Sequence, residues 1–242
     1  MHLNRGPRRS AVLAPLLLFI AVNASGQQTY VTRFDQFDGF TYLNSPLVSL
    51  EEYGFHTQFG VRVKTWVSLG FDYSVSTGNL TITPNLLVPS LQQSLGAQLE
   101  QLIAAGVIPP NYKLVVPASS LSQTFAGGPQ IAFRHWQKFT LFVRPSIGLI
   151  HETATISLTD PVETAIVEQI VPSGKKTDNT GFYGVGGGID LLLSRHVGVR
   201  IQGDFVRDHL FNDILQDWRN TVRLSIGPCF NFGRNIVRNG KP

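Results

Sequence analysis

Five side chains have the types that a hydrolase uses: Ser146, His151, Glu152, Asp208 and His209. A serine, a histidine and an acid in one hydrogen-bonded row make a nucleophile, its base and the group that orients the base. His151-Glu152 and Asp208-His209 are adjacent in the chain, but nothing in the sequence brings the two pairs and Ser146 to one point. Gly184, Gly186, Gly187 and Gly188 offer a second candidate, a loop that cradles phosphate. That chemistry needs G-x-G-x-x-G at a strand-to-helix switch. Here Ile189 stands at the sixth position and no helical pattern follows. No H-E-x-x-H and no Cys/His ligand spacing occurs, so no metal and no cofactor are expected. Cys229 is the one cysteine; it excludes an internal disulfide and reads as an inert thiol. What remains is charge: Arg62, Asp72, Arg134, Arg144, Asp190, Arg200, Asp204 and Arg223 each share a parity with polar neighbours and alternate with apolar ones.

A period of two means strands. In Val197–Phe205, the residues Val197, Val199, Ile201 and Phe205 share one face, and Arg200, Gln202 and Asp204 share the other. Eight such stretches are expected. The first lies within Thr29–Leu43, with Phe34, Phe40 and Tyr42 on one parity. The others are Gly54–Lys64, Trp66–Ser76, Gln123–His135, Lys138–His151, Gly181–Leu193, Val197–Asp208 and Trp218–Gly233. Connections after the second, fourth and sixth have two or three residues, counting Lys64 with Thr65 in the first of them; those after the odd-numbered strands have about 10 to 46. Within the longest, Ser90–Ala105 carries Leu91, Leu95, Leu99, Leu102 and Ile103 at helical spacing, with Ser90 as its cap and Gly106 and Pro109-Pro110 as its stop. Its polar face has glutamines and a glutamate rather than Lys and Arg, so it is expected to pack on the rim or on a partner rather than on a membrane surface. Thr153–Leu158 and Thr164–Val171 are expected to extend two strands as a hairpin around Asp160-Pro161. Lys113–Val116 or Thr164–Val171 could also add strands, which leaves ten possible.

Apolar residues on one face, mixed charges on the other, and long connections at one end only describe a membrane barrel with lipid outside and a polar interior. By parity the eight charges project into one lumen. There they form an ion-pair plug or, alternatively, line a narrow pore; eight strands leave room for little more than side chains. Gly184, Gly186 and Gly188 have the same parity and are expected to make room for large neighbours such as arginines. Trp66 and Trp136 beside two short turns, and Trp218 at the far end of the last strand, fit two interfacial aromatic belts.

The N-terminus fits this location. Arg5, Arg8 and Arg9 precede an apolar run, Ala11–Val22, and Ala24-Ser25-Gly26 offers small residues for cleavage before Gln27. Residues 1–26 therefore read as a signal peptide, 27–233 as the barrel, and 234–242 as a short basic periplasmic tail. The whole chain holds 20 Lys+Arg and 16 Asp+Glu. The leader takes three arginines and no acid, so the sequence pI near 9.4 belongs partly to the leader. No basic patch calls for nucleic acid. No apolar stretch of 18 or more residues occurs elsewhere, which excludes a helical membrane protein.

On these residues the chain resembles the small eight-stranded outer-membrane barrels of bacteria, the OmpA/OmpX-like family, over roughly residues 29–233. The leader, the eight alternating strands, the loop asymmetry and the final Pro228-Cys-Phe-Asn-Phe232-Gly carry the resemblance. It implies an all-β, eight-stranded antiparallel up-and-down transmembrane β-barrel with a short helix in a long external loop. It also implies an outer-membrane location in a Gram-negative-type bacterium. Phe232 resembles the terminal aromatic that the barrel-assembly machinery reads, although about ten residues follow it here. The expected role is structural or surface-interacting and not enzymatic. The expected partners are outer-membrane lipid, the assembly machinery and an external partner at loops 77–122 and 152–180. Three alternatives stay open: a narrow channel, a soluble lipocalin-like barrel with an apolar interior, and an outer-membrane lipid hydrolase built on the five side chains above.

Overall fold

The computed structural model describes residues 28–158 and 161–237. The expected signal peptide, most of the basic tail and the tip at Asp160 lie outside the described residues. Eight antiparallel strands close into a barrel in sequence order: β1 Thr32–Ser45, β2 Leu50–Lys64, β3 Val67–Ile82, β4 Val116–Phe133, β5 Phe139–Ile156, β6 Lys175–Leu192, β7 Val197–Asp208 and β8 Arg219–Asn235. β1 closes on β8 with Phe34 opposite Phe232 and Tyr42 opposite Leu224.

The parity of the sequence becomes the inside and outside of the barrel. Phe40, Phe55, Phe71, Phe125, Ile147, Leu149, Tyr183, Phe205 and Leu224 are all exposed on the outer wall. Arg62, Asp72, Arg144, Asp190, Arg200, Asp204 and Arg223 are all buried inside it. This inverts a water-soluble protein, and it contradicts the lipocalin-like alternative, which needs an apolar lumen.

Several strands run further on the long-loop side than expected. β4 gains Val116–Ser122 and β6 gains Lys175–Thr180. Above the apolar belt the outward residues turn polar, such as Ser119, Thr153 and Thr177, so the hydropathy contrast fades while the alternating burial persists. β1 and β2 meet through Pro46–Ser49 alone, where Ser49 takes φ 46°, rather than through a connection of about ten residues. The barrel has eight strands: Val116 opens β4, and Thr164–Val167 is helical.

Two helices cover the long-loop end. α1 spans Pro89–Ala104, with Val88 at the N-cap position and Pro89 in the first turn. Ser90 therefore lies inside the helix and does not cap it; a proline at the start supplies the fixed φ instead. Gly106 at φ +72° ends it, with Val107 N–H donating to Leu102 O at 2.9 Å. α2 spans Pro161–Val167, where a strand hairpin was expected. Ile166 and Val167 are buried against Leu87, Leu95, Leu114 and Val116, a cluster that a flat hairpin would leave open. The connection between β7 and β8 joins this cap through the backbone: Val88 N–H donates to Ile214 O at 2.8 Å and Gln216 N–H to Leu86 O at 2.9 Å. Gln98 reaches Gln169 at 2.7 Å. Beneath the cap, Val48, Leu50, Leu80, Leu210, Phe211 and Leu215 form a second apolar cluster across the mouth. A cavity of about 60 Å³ remains between the two, lined by side chains such as Leu95, Val116, Val167 and Phe211.

Candidate functional site

The charges inside the barrel stack in three levels, and strand register builds most of the contacts. At the level nearest the short turns, Asp190 of β6 lies directly opposite Arg200 of β7. The guanidinium grips that carboxylate with both arms: Nε donates to Oδ1 at 2.6 Å and Nη2 to Oδ2 at 3.0 Å. Nη2 also donates to Asp35 Oδ2 at 3.1 Å and Nη1 to Gln58 Oε1 at 3.0 Å. The rings of Phe142 and Phe37 flank it at 4.8 and 5.7 Å. Such forked, charge-assisted bonds are the strong ones in a water-poor interior. Arg62 approaches Asp35 at 3.5 Å and donates to Thr32 Oγ1 and Asn231 Oδ1, each at 2.7 Å.

At the middle level Asp204 of β7 faces Arg223 of β8. Arg223 reaches it at 3.0 Å, and Arg144 reaches it from the far wall at 3.2 Å. Arg144 also bonds Asp72, which lies 3.8 Å from Arg223. Two arginines thus alternate with two aspartates around a square. His56 Nδ1 pairs with Ser225 Oγ at 3.0 Å beside it.

The level nearest the long loops has a different balance. Arg219 of β8 contacts Glu152 at 2.7 Å and Asp208, its neighbour across the β7–β8 ladder, at 3.2 Å. Glu52 has no arginine within ion-pair distance among the described residues. Its carboxylate instead accepts the hydroxyls of Ser76, Ser120 and Ser122 at 2.8, 2.6 and 2.8 Å.

Seven of the eight charges singled out by parity stand in this lattice. Arg134 does not. It lies in the turn after β4 and makes no salt bridge among the described residues. It donates to Thr65 O at 2.8 Å, Thr140 Oγ1 at 3.0 Å and Gln28 Oε1 at 3.2 Å. The strand ends at Phe133, and Arg134 keeps the inward parity just past it, at the mouth of the lumen, beyond reach of the carboxylates. The residue is half-buried. Desolvation of its guanidinium, and after it the Arg62 cation, draws its pKa down to about 9, so it stays protonated at neutral pH.

Sequence reading missed Asp35, Glu52, Glu152, Asp208 and Arg219 as members of the lattice. Asp35 was hidden by the vagueness of the first strand. Glu52 and Glu152 fall just past the expected strand ends, yet each continues an inward parity, His56-Gln58 in β2 and Ser146-Gly148 in β5. Arg219 and Asp208 share parity with Arg223 and Asp204, and that signal sufficed to find them. The inward glycines serve carboxylate, ring and backbone rather than arginines. A Cβ on Gly186 would fall on the Asp204 carboxylate, one on Gly188 would meet Phe142 Cζ at 2.7 Å, and one on Gly184 would meet Phe205 O at 2.5 Å.

The five hydrolase candidates do not assemble. Ser146 faces inward. His151 faces outward and pairs with Asn179 at 2.6 Å. Glu152 and Asp208 both turn to Arg219, and His209 stacks on Trp218 at 4.9 Å. Cys229 is buried. Trp66 lies in the β2–β3 turn and Trp136 in the β4–β5 turn, where it stacks on Phe139 at 4.4 Å. Trp218 lies at the opposite end and neighbours Tyr183 at 6.5 Å. Phe232 is on the outer wall, 5.7 Å from Phe34 and 6.3 Å from Phe59.

No protein-family model matches the sequence, and no curated protein does. Among solved structures the chain is similar to Neisserial surface protein A, with 10% identity and a TM-score of 0.51 over 82% of this chain and 96% of that one. Ail, the attachment invasion locus protein of Yersinia pestis, aligns at 7% identity and a TM-score of 0.47 over 84% and 99% of the two chains. The outer membrane protein OprG from Pseudomonas aeruginosa aligns at 10% and 0.46 over 87% and 100%. At such identities the likeness is one of fold, and it rests on the first of the three: the chain shares the closed eight-stranded barrel of Neisserial surface protein A.

Proposed function

We propose that this chain is an integral outer-membrane barrel with a structural or surface-interaction role, and that its lumen is plugged by charged side chains rather than open. The observation that carries this reading is the inversion of the wall. Phe, Leu, Val and Ile ring the outside, while arginines and carboxylates fill the inside. An exposed apolar surface of this extent is costly in water and stable in lipid. Removal of residues 1–26 delivers the barrel to the periplasm, and the C-terminal strand with Phe232 serves the assembly machinery. The long-loop end then faces outward. Its connections, within 77–122 and 152–180, present a folded cap to an external partner, and no enzymatic step is assigned to it. Ion pairs that satisfy one another across the lumen leave little space for water, which favours a plug over a pore.

The test is fractionation of cells expressing the full chain. The mature protein is expected with the outer membrane, resistant to carbonate extraction, and faster on a gel unheated than boiled. Recovery as a soluble periplasmic protein without a heat-dependent shift would overturn the proposal.

A further inference from the structure

The lumen opens at the short-turn end into a pocket of about 360 Å³, lined by polar groups with one chemical bias. Arg62, Arg134, Lys138 and Arg195 all border it, and among the described residues no carboxylate does. The first described residues, Gln28–Val31, form one wall. They are pinned across the mouth by Gln28 Nε2, which donates to Trp136 O at 3.0 Å and Thr140 Oγ1 at 2.9 Å. The arginines among these cations are held in place. Arg134 is fixed by three neutral acceptors, and the Arg195 guanidinium sits 5.5 Å over the Tyr30 ring. Arg62 is buried, with its guanidinium held by Thr32 Oγ1 and Asn231 Oδ1 at 2.7 Å each. Arg62 has Asp35 at 3.5 Å, whereas Arg134, Lys138 and Arg195 have no ion-pair partner among the described residues, so the pocket carries an unmet demand for negative charge.

We propose that this pocket binds a phosphate-bearing anion. Guanidinium groups present planar forks that match phosphate oxygens, and Lys138 adds a point charge at the rim. The volume exceeds what a bare phosphate needs and admits a headgroup-sized molecule. Leu193, on the rim in the turn after β6, is exposed. The phosphate therefore has two possible sources, a soluble phosphate compound or the headgroup of a lipid in the adjoining leaflet. Both present the same oxygens to the same arginines.

The experiment uses the full mature barrel folded in an uncharged detergent. Inorganic phosphate and a short-chain phosphatidylglycerol are titrated separately and followed by calorimetry. Saturable binding of either probe is expected. It should weaken on the order of tenfold for each of Arg195→Gln and Lys138→Gln, which remove one charge-assisted contact from exposed positions. Arg134→Gln should weaken it further. If it fails to fold, the two exposed variants suffice. Tighter binding of the phosphatidylglycerol identifies a lipid headgroup as the source, and equal or tighter binding of phosphate identifies a soluble one. No saturable binding of either probe, or binding unchanged in Arg195→Gln and Lys138→Gln, overturns the proposal.

Discussion

The two ends of the lumen differ in charge and in closure. At the long-loop end one arginine, Arg219, faces Glu152 and Asp208 with Glu52 close by on its serines, and an apolar cap closes the mouth. At the short-turn end Arg62 and Arg200 face Asp35 and Asp190, Arg134 adds a cation with no salt bridge among the described residues, and the mouth is a polar concavity of about 360 Å³. The middle level is balanced, with two arginines and two aspartates. Carboxylates in excess are tolerated where hydroxyl donors and an apolar lid surround them. Cations in excess occur where solvent or an anion can reach them. Stability should therefore depend on the complete ion pairs, at whichever level they lie, and binding on the cations left unpaired at the short-turn end.

Substitutions along this axis should fall in order. Arg200→Leu leaves Asp190 and Asp35 buried with reduced compensation and should cost about 3–5 kcal/mol of unfolding free energy, measured by urea denaturation in lipid vesicles. Arg219→Leu should cost nearly as much, because Glu152 and Asp208 both lose their counter-ion. Leu95→Ala removes a buried side chain from the cap and should cost about 2–3 kcal/mol locally. That loss should appear as faster amide exchange in α1 with the barrel strands unchanged. Arg134→Gln breaks bonds to neutral acceptors only and should cost about 1 kcal/mol. A loss as large as that of Arg200→Leu would mean that Arg134 holds a carboxylate after all. Smallest is Val199→Leu on the lipid-facing wall, expected within about 0.5 kcal/mol.

The fold was readable because the period of two survives wherever one wall meets lipid and the other meets charge. Val197–Asp208 has that contrast along its whole length, and its bounds agree with the structure. Val116–Ser122 lacks it, since serine and proline face outward above the belt, and only the alternation of burial identifies it as strand. The cap was the least readable part. Thr164–Val171 is β-branched and apolar enough to suggest a strand, yet Ile166 and Val167 bury better as one helical turn against α1. The lattice was half readable. Parity finds a charge that points inward but does not say which charges meet. Asp190 with Arg200 and Asp204 with Arg223 required the register, and Arg144 with Asp72 required closure of the barrel.

The filled lumen is tested most directly by electrical recording of the full mature barrel in planar bilayers, with insertion confirmed by the heat-dependent gel shift. A lumen closed by ion pairs and an apolar cap should show no discrete conductance steps. Reproducible single-channel steps in the wild-type protein would contradict it.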